Sequence, residues 1–223
     1  MRIKLLELRI KLLGVLLRSS KIALFFILYS LFLPLSPAYA QASGIGQARI
    51  TPASPLYFLK AVRENWQWRF AFTKQAKMSL QLSFADARLK EANTLLSQNQ
   101  DLIQPTLERH MFNLNSLPDE LSEEDELGLK IKEAVNIHLA VLEKMYPLTS
   151  NLKARMAIRS VMNRIIQRAD VIPAAKLPVC TLFSREASLP AGRQGSSAFS
   201  DTEKFVLANR AEKCFADVGR SGF

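Results

Sequence analysis

Beyond residue 50, apolar side chains recur at every third or fourth position, the spacing that lines one face of an α-helix. The first such segment is expected from about Pro55 to Ala71, where Leu56, Leu59, Val62, Trp66 and Phe70 form one stripe while Lys60, Arg63 and Glu64 face away. Ser54 suits its N-cap and Pro55 its first turn, where a missing N–H costs nothing. Thr73 opens a longer helix in which Met78, Leu82, Ala85, Leu89, Ala92 and Leu96 alternate at four and three, widened by Leu80, Phe84, Ala87 and Leu95. So broad a face fits a bundle rather than a two-stranded seam. A third helix, with Pro105 in its first turn and Pro118 at its end, carries Leu107, Met111, Leu114 and Leu117. A fourth, from about Glu123 to Tyr146 and stopped by Pro147, carries Leu127, Ile131, Ala134, His138, Val141 and Met145. Ser150 or Asn151 starts a fifth, running to about Ala169, whose face of Ala154, Ile158, Val161, Ile165 and Ala169 has basic borders: Arg155 and Arg159 on one side, Lys153, Arg164 and Arg168 on the other.

The pattern predicts an all-α fold, an antiparallel bundle of about five helices over residues 54–172. Residues 41–53 show no apolar period and read as a flexible leader. From Pro173 prolines and glycines break the rhythm, which predicts a linker and a small helical tail over 173–223, with a helix from Thr202 to Phe215 and an unstructured end from Gly219. Deleting Leu189 to Ser196 is expected to leave thermal stability nearly unchanged.

The first forty residues change the picture of the whole. Arg2, Lys4, Arg9, Lys11, Arg18 and Lys21 precede an apolar run, Ile22 to Leu35, and Pro37-Ala38-Tyr39-Ala40 offers a small-residue cleavage site. This is the layout of an export signal cut after Ala40; the alternative is an uncleaved N-terminal membrane anchor. Either form places the rest of the chain outside the cytoplasm, secreted or tethered to the membrane. Residues 1–40 hold six basic groups and one acid, so the formal charge falls from +10 for the whole chain to +5 beyond residue 40. The remainder fits an ordinary solubility charge as well as contact with anionic lipid or polymer.

Candidate chemistry is sparse. Cys180 and Cys214 are the only cysteines, and outside the cytoplasm an even pair favours a disulfide. His138 falls on a buried stripe and is expected to be a bonded core group. His110 lies on another helix, and no metal-spaced His or Cys set exists, so neither metal nor cofactor is expected. The six acids of Asp119 to Glu126 lack the alternating ligand pattern of a calcium loop and suit a helix N-terminus facing the basic fifth helix. Core packing is expected to account for most of the aromatic side chains of the first helix. The functional alternative is an interaction surface in which Trp66, Trp68 and Phe72, with Arg63 and Arg69, meet a membrane or polymer, joined by the basic border Arg155, Arg159, Arg164 and Arg168.

Ser54-Pro55-Leu56-Tyr57-Phe58-Leu59-Lys60, then Phe72-Thr73, Lys77, Ala85 and Arg88-Leu89-Lys90-Glu91-Ala92, resemble the start of a family of exported helical bacterial proteins catalogued as domain of unknown function number five-six-six-seven. His138-Leu139-Ala140-Val141-Leu142-Glu143-Lys144 with Ala157-Ile158 is similar to that family's later helices. The resemblance spans roughly residues 50 to 172 and implies an exported helical domain with no catalytic residues to carry over.

With no phosphate loop, nucleophile elbow or metal motif, the expected role is a non-enzymatic helical bundle of the cell envelope that binds a protein, a polymer or its own copies. A nucleic-acid partner is not expected. The alternative is an extracytoplasmic stress sensor or chaperone. A wall hydrolase using Asp86, Glu91 or Glu133 is disfavoured, because these acids are expected on solvated helix faces beside Arg88, Lys90 and Lys132.

Overall fold

A computed structural model describes residues 45–118, 125–188 and 201–220. These residues form seven α-helices and one short 3-10 turn, with no strand among them. The helices are α1 (Tyr57–Phe70), α2 (Lys74–Gln98), α3 (Ile103–Asn115), α4 (Glu126–Leu148), α5 (Leu152–Ile165), α6 (Pro173–Ser188) and α7 (Asp201–Arg220), with the 3-10 turn at Gln100–Leu102. The fold is all-α, and five helices occupy residues 54–172 as expected.

Short polar side chains set the helix starts. Thr73 Oγ1 accepts the Ala76 N–H at 3.1 Å to open α2, and Asn151 Oδ1 accepts the Ala154 N–H at 3.1 Å to open α5. Asp125 caps α4 by accepting the Leu127 N–H at 3.0 Å, where the sequence also offers Ser122 as a capping side chain. Ser122 and most of the acidic cluster lie outside the described residues, so their pairing with α5 is not described. Pro147 sits inside the last turn of α4, which continues to Leu148.

One hydrophobic core joins α2 through α7. Leu89, Ala92 and Leu95 of α2 meet Leu107 and Leu114 of α3, Ile131, Leu139 and Leu142 of α4, and Ile158 and Ile165 of α5, all fully or almost fully buried. No residue of α1 belongs to that core.

Two stretches expected to be loose are not. Ile45 packs against the core, Ala48 N–H donates to Thr94 Oγ1 at 2.9 Å, and the buried Thr51 donates to Gln98 Oε1 at 2.9 Å, so the described part of the leader runs along the C-terminal half of α2. The expected linker after Pro173 is the helix α6, with Pro178 inside it at the loss of one backbone hydrogen bond. Val179, Cys180, Leu182 and Phe183 of α6 enter the same core as Leu207, Ala211, Cys214 and Val218 of α7. The apolar rows outweigh the proline signal because they are buried. Residues 189–200, including the segment whose deletion is expected to be neutral, lie outside the described residues. Helix α7 continues through Gly219 to Arg220, past the expected end.

The sulfurs of Cys180 and Cys214, 34 positions apart in sequence, are bonded, with Cα atoms 5.5 Å apart. Closing a chain loop of that length stabilises by about 3–4 kcal/mol on the loop-entropy relation. Urea unfolding with and without reductant should show a loss of about that size; an unchanged midpoint would contradict a stabilising cross-link.

Candidate interaction surface

Helix α1 lies on α2 with the opposite orientation to the one its amphipathic pattern suggests. At about 100° per residue, Tyr57, Lys60 and Glu64 fall on one side and Leu59, Val62, Trp66 and Phe70 on the other. The first set meets α2. Glu64 is the one residue of α1 that is buried, and Leu56, Phe58, Leu59, Val62, Trp66 and Phe70 are all exposed. Lys60 and Glu64, expected to face away, therefore face the bundle.

The contact is ionic. Glu91 of α2 is 0% exposed and receives three donors: Lys60 Nζ, Arg88 Nη1 at 2.8 Å and the Tyr57 hydroxyl at 3.1 Å. Arg88 also pairs with Glu64, and Lys60 lies 3.7 Å from Glu64. Arg109 of α3 donates to the Tyr57 hydroxyl at 3.2 Å, and both Arg88 and Arg109 lie over the Tyr57 ring. Burial alone would lower the Arg88 pKa, but the charges of Glu64 and Glu91 outweigh it and hold the guanidinium above its ordinary value. Burial, then the Glu91 charge, pushes the Tyr57 hydroxyl up, so it remains a donor.

This inverts the placement because α2 is already committed on two sides. Its row of Met78, Ala85, Leu89 and Ala92 serves the main core, and the adjoining row presents Arg88 and Glu91 to α1. Buried charges require partners. Lys60 and Glu64 supply them, and the apolar side of α1 is left outward.

That outer side is a row of rings. Trp66 and Phe70 stack with centroids 5.7 Å apart, and Phe72, just past the helix end, meets Phe70 edge-on at 6.5 Å. Trp66 is 50% exposed and Phe72 84%. Trp68 falls on the opposite side of α1, with Tyr57 and Glu64, and Lys77 Nζ lies 5.6 Å from its ring centre. Of the surface predicted as Trp66, Trp68, Arg69 and Phe72, the structure brings Trp66 and Phe72 together through Phe70 with Arg69 at the edge, and leaves Trp68 out of it.

The basic border of α5 is not part of it. Arg159 and Arg168 are buried, Arg155 is half-buried with its guanidinium 5.2 Å from the Tyr146 ring centre, and Arg164 is exposed. Arg168 forms a two-pronged pair with Asp170 at 3.0 and 2.8 Å and donates to the Leu114 carbonyl in the last turn of α3 and the Pro118 carbonyl beyond it. These arginines satisfy helix ends and ring faces inside the bundle, and as an outward surface Arg159 and Arg168 are corrected. Burial, then the Glu186 charge, pushes the Tyr146 hydroxyl, which donates to Glu186 at 3.3 Å, up to about 12.

His138 is buried, and its Nε2 lies 2.6 Å from Asp86 Oδ1, an internal bonded histidine as expected. His110, on α3 as expected, is also fully buried; its ring centre is 4.9 Å from that of His138, and its Nδ1–H donates to the Ala85 carbonyl at 3.0 Å. Of the acids weighed as hydrolase groups, Glu91 is buried in the ionic contact, Asp86 holds His138, and exposed Glu133 borders a shallow groove with Leu129, Ile137 and Ile172. Among the described residues, no group of three or more His, Cys, Asp or Glu side chains could hold a metal ion, and no helix is long and apolar enough to cross a membrane.

Glu64 and Glu91, both expected on solvated helix faces, are buried, and their pairing across the two helices was not foreseen. A signal was present: Tyr57, Lys60 and Glu64 share a face, as do Arg88 and Glu91 at i and i+3. Compared with known proteins, residues 49–150 match a family described as Domain of unknown function (DUF5667). No curated protein and no solved structure matches the chain.

Proposed function

From the membership of residues 49–150 in that family of unknown function, we propose that the protein is a non-enzymatic helical binding protein of the cell envelope, exported by its N-terminal segment, and that the outer face of α1 takes its partner. The observation that carries this is the outward row of Trp66, Phe70 and Phe72 on a helix held from behind by buried ion pairs. A contiguous exposed apolar patch of this kind marks an interaction site on a soluble fold. The disulfide between Cys180 and Cys214 supports an oxidising compartment outside the cytoplasm.

A photo-cross-linking side chain in place of Trp66, in cells that make the full chain, should give one recurrent protein or lipid adduct. The same group in place of Lys213, an exposed residue of α7, should not. Equal adduct patterns from both positions would remove the surface from consideration. Mass spectrometry of the recovered chain should find Gln41 as its first residue if the signal is cut.

The exposed rings also suit a chaperone that holds unfolded clients. Suppression of aggregation by the wild type, lost in Trp66→Ala/Trp68→Ala, would favour that role; a wild type that suppresses nothing would exclude it.

A further inference from the structure

We infer that the partner of the α1 face is an anionic lipid bilayer, on which the helix lies flat with its rings at the level of the headgroups. The inference rests on the proposed role of that face as a binding surface and names its occupant. It begins from the charges around the rings. Between Tyr57 and Ala85 the sole acid is Glu64, and it is buried against Arg88. The exposed ionic residues of the same stretch are Arg63, Arg69, Lys74 and Lys77, all cationic. On the helix, Arg63 and Arg69 flank the stripe of Leu59, Val62, Trp66 and Phe70 on its two edges, while Lys74 and Lys77 follow Phe72 at the start of α2.

An apolar stripe rich in rings and edged on both sides by long basic side chains is the pattern of a helix lying in a membrane interface. The rings enter the boundary between headgroups and acyl chains, and the cations extend up to the phosphates. At 14 residues α1 is about 21 Å long, too short to cross a bilayer and long enough to lie on one. Its inner side needs no lipid, because its hydrogen bonds and charges are met by Glu91, Arg88 and Arg109.

A second copy of the chain is a poorer occupant. Self-complementary pairing about a two-fold axis brings the same patch to both sides, so the cations flanking one row of rings would face the same cations on the other. Like charges set against each other across an interface are unfavourable. An anionic surface is complementary to all four.

Trp66 and Trp68 are the only tryptophans in the chain and lie about 200° apart round the helix, so the full-length Trp68→Phe protein, with Trp66 as its one tryptophan, reports this face alone. The protein would be mixed with vesicles of phosphatidylcholine or of phosphatidylcholine with phosphatidylglycerol, each with and without brominated acyl chains. On the anionic vesicles the emission should shift to the blue and be quenched by bromine. On neutral vesicles both effects should be weaker. Arg63→Gln/Arg69→Gln should lower anionic-vesicle binding about 30-fold, at about 1 kcal/mol for each cation near the surface. Phe70→Ser/Phe72→Ser should abolish the quenching while circular dichroism and melting temperature stay unchanged, since both rings are exposed.

Emission that ignores every vesicle, or quenching that is indifferent to the two arginines, would overturn the inference. A blue shift without lipid that grows with protein concentration and accompanies a doubled mass would also overturn it, in favour of a second copy. Unquenched emission together with a recurrent protein adduct at position 66 would defeat the lipid partner and leave the binding surface standing. With neither quenching nor adduct, both fail.

Discussion

Glu91→Ala should lower the stability of the protein by about 3–5 kcal/mol, the usual cost of removing one partner from a buried ion pair. In melting temperature this is on the order of 10 °C for a chain of this size. The carboxylate is fully buried and receives Lys60, Arg88 and the Tyr57 hydroxyl. Without it, Arg88 remains inside with Glu64 as its one carboxylate, and Lys60 loses its closest acceptor. Replacing Arg88 by Met together with Glu91 by Leu should cost distinctly less than the single change, because no uncompensated charge remains. Glu133→Ala, at an exposed position, should stay within about 0.5 kcal/mol. Thermal unfolding of the three variants decides the matter. A Glu91→Ala protein as stable as wild type would mean that the ionic contact does not hold α1.

Acid should destabilise the fold well before its carboxylates titrate, and His110 should be the cause. Its Nδ1–H is engaged with the Ala85 carbonyl, and its Nε2 is buried without a hydrogen-bond partner. A proton on Nε2 would create a buried cation beside the His138 ring, 4.9 Å away centre to centre. Burial, and secondarily His138, accordingly push the His110 pKa down to about 3. In the unfolded chain the same group titrates near its ordinary value of about 6.5. The folded pKa is the depressed one, so stability is greatest above pH 6.5. It declines as the pH falls towards 3, because over that window the unfolded chain gains a proton that the folded one refuses. Traversing the whole window would cost on the order of 4 kcal/mol. Urea midpoints between pH 6.5 and 4.5 should fall steeply for wild type and much less for His110→Leu. Parallel curves for the two proteins would assign the acid sensitivity elsewhere.

Local instructions in this chain were readable where one helix face had one task. Thr73 and Asn151 cap the helices they precede, and the rows Leu107, Leu114, Leu117 and Ala154, Ile158, Val161, Ile165 are buried as their spacing requires. The cysteines, 34 positions apart, meet because α6 and α7 pack side by side. Misreadings arose where a distant segment overrode a local rule. The stripe of α1 obeys the amphipathic pattern and still faces outward, because Arg88 and Glu91 of a different helix require Lys60 and Glu64 on the inner side. Within residues 55–71 the shared face of Tyr57, Lys60 and Glu64 becomes a signal only beside the Arg88 and Glu91 pair of the next helix. Arg159 and Arg168 look like solvated borders until the bundle closes over them, and Pro178 suggests a linker until Val179 and Phe183 enter the core. The two histidines, 28 positions apart in sequence, become neighbours through the packing of α3 and α4 against α2.

The orientation of α1 underlies the proposed surface and its lipid partner alike, and its most direct test needs no ligand. Iodide quenching of the emission of the dilute full-length Trp68→Phe protein in lipid-free buffer reports Trp66 alone, the one tryptophan left and a member of the outward row. Outward rings predict the red-shifted emission of water-exposed indole, with quenching approaching that of the urea-unfolded chain. Blue-shifted emission protected from iodide would show α1 packed apolar side inward, with the ionic contact to Glu91 absent.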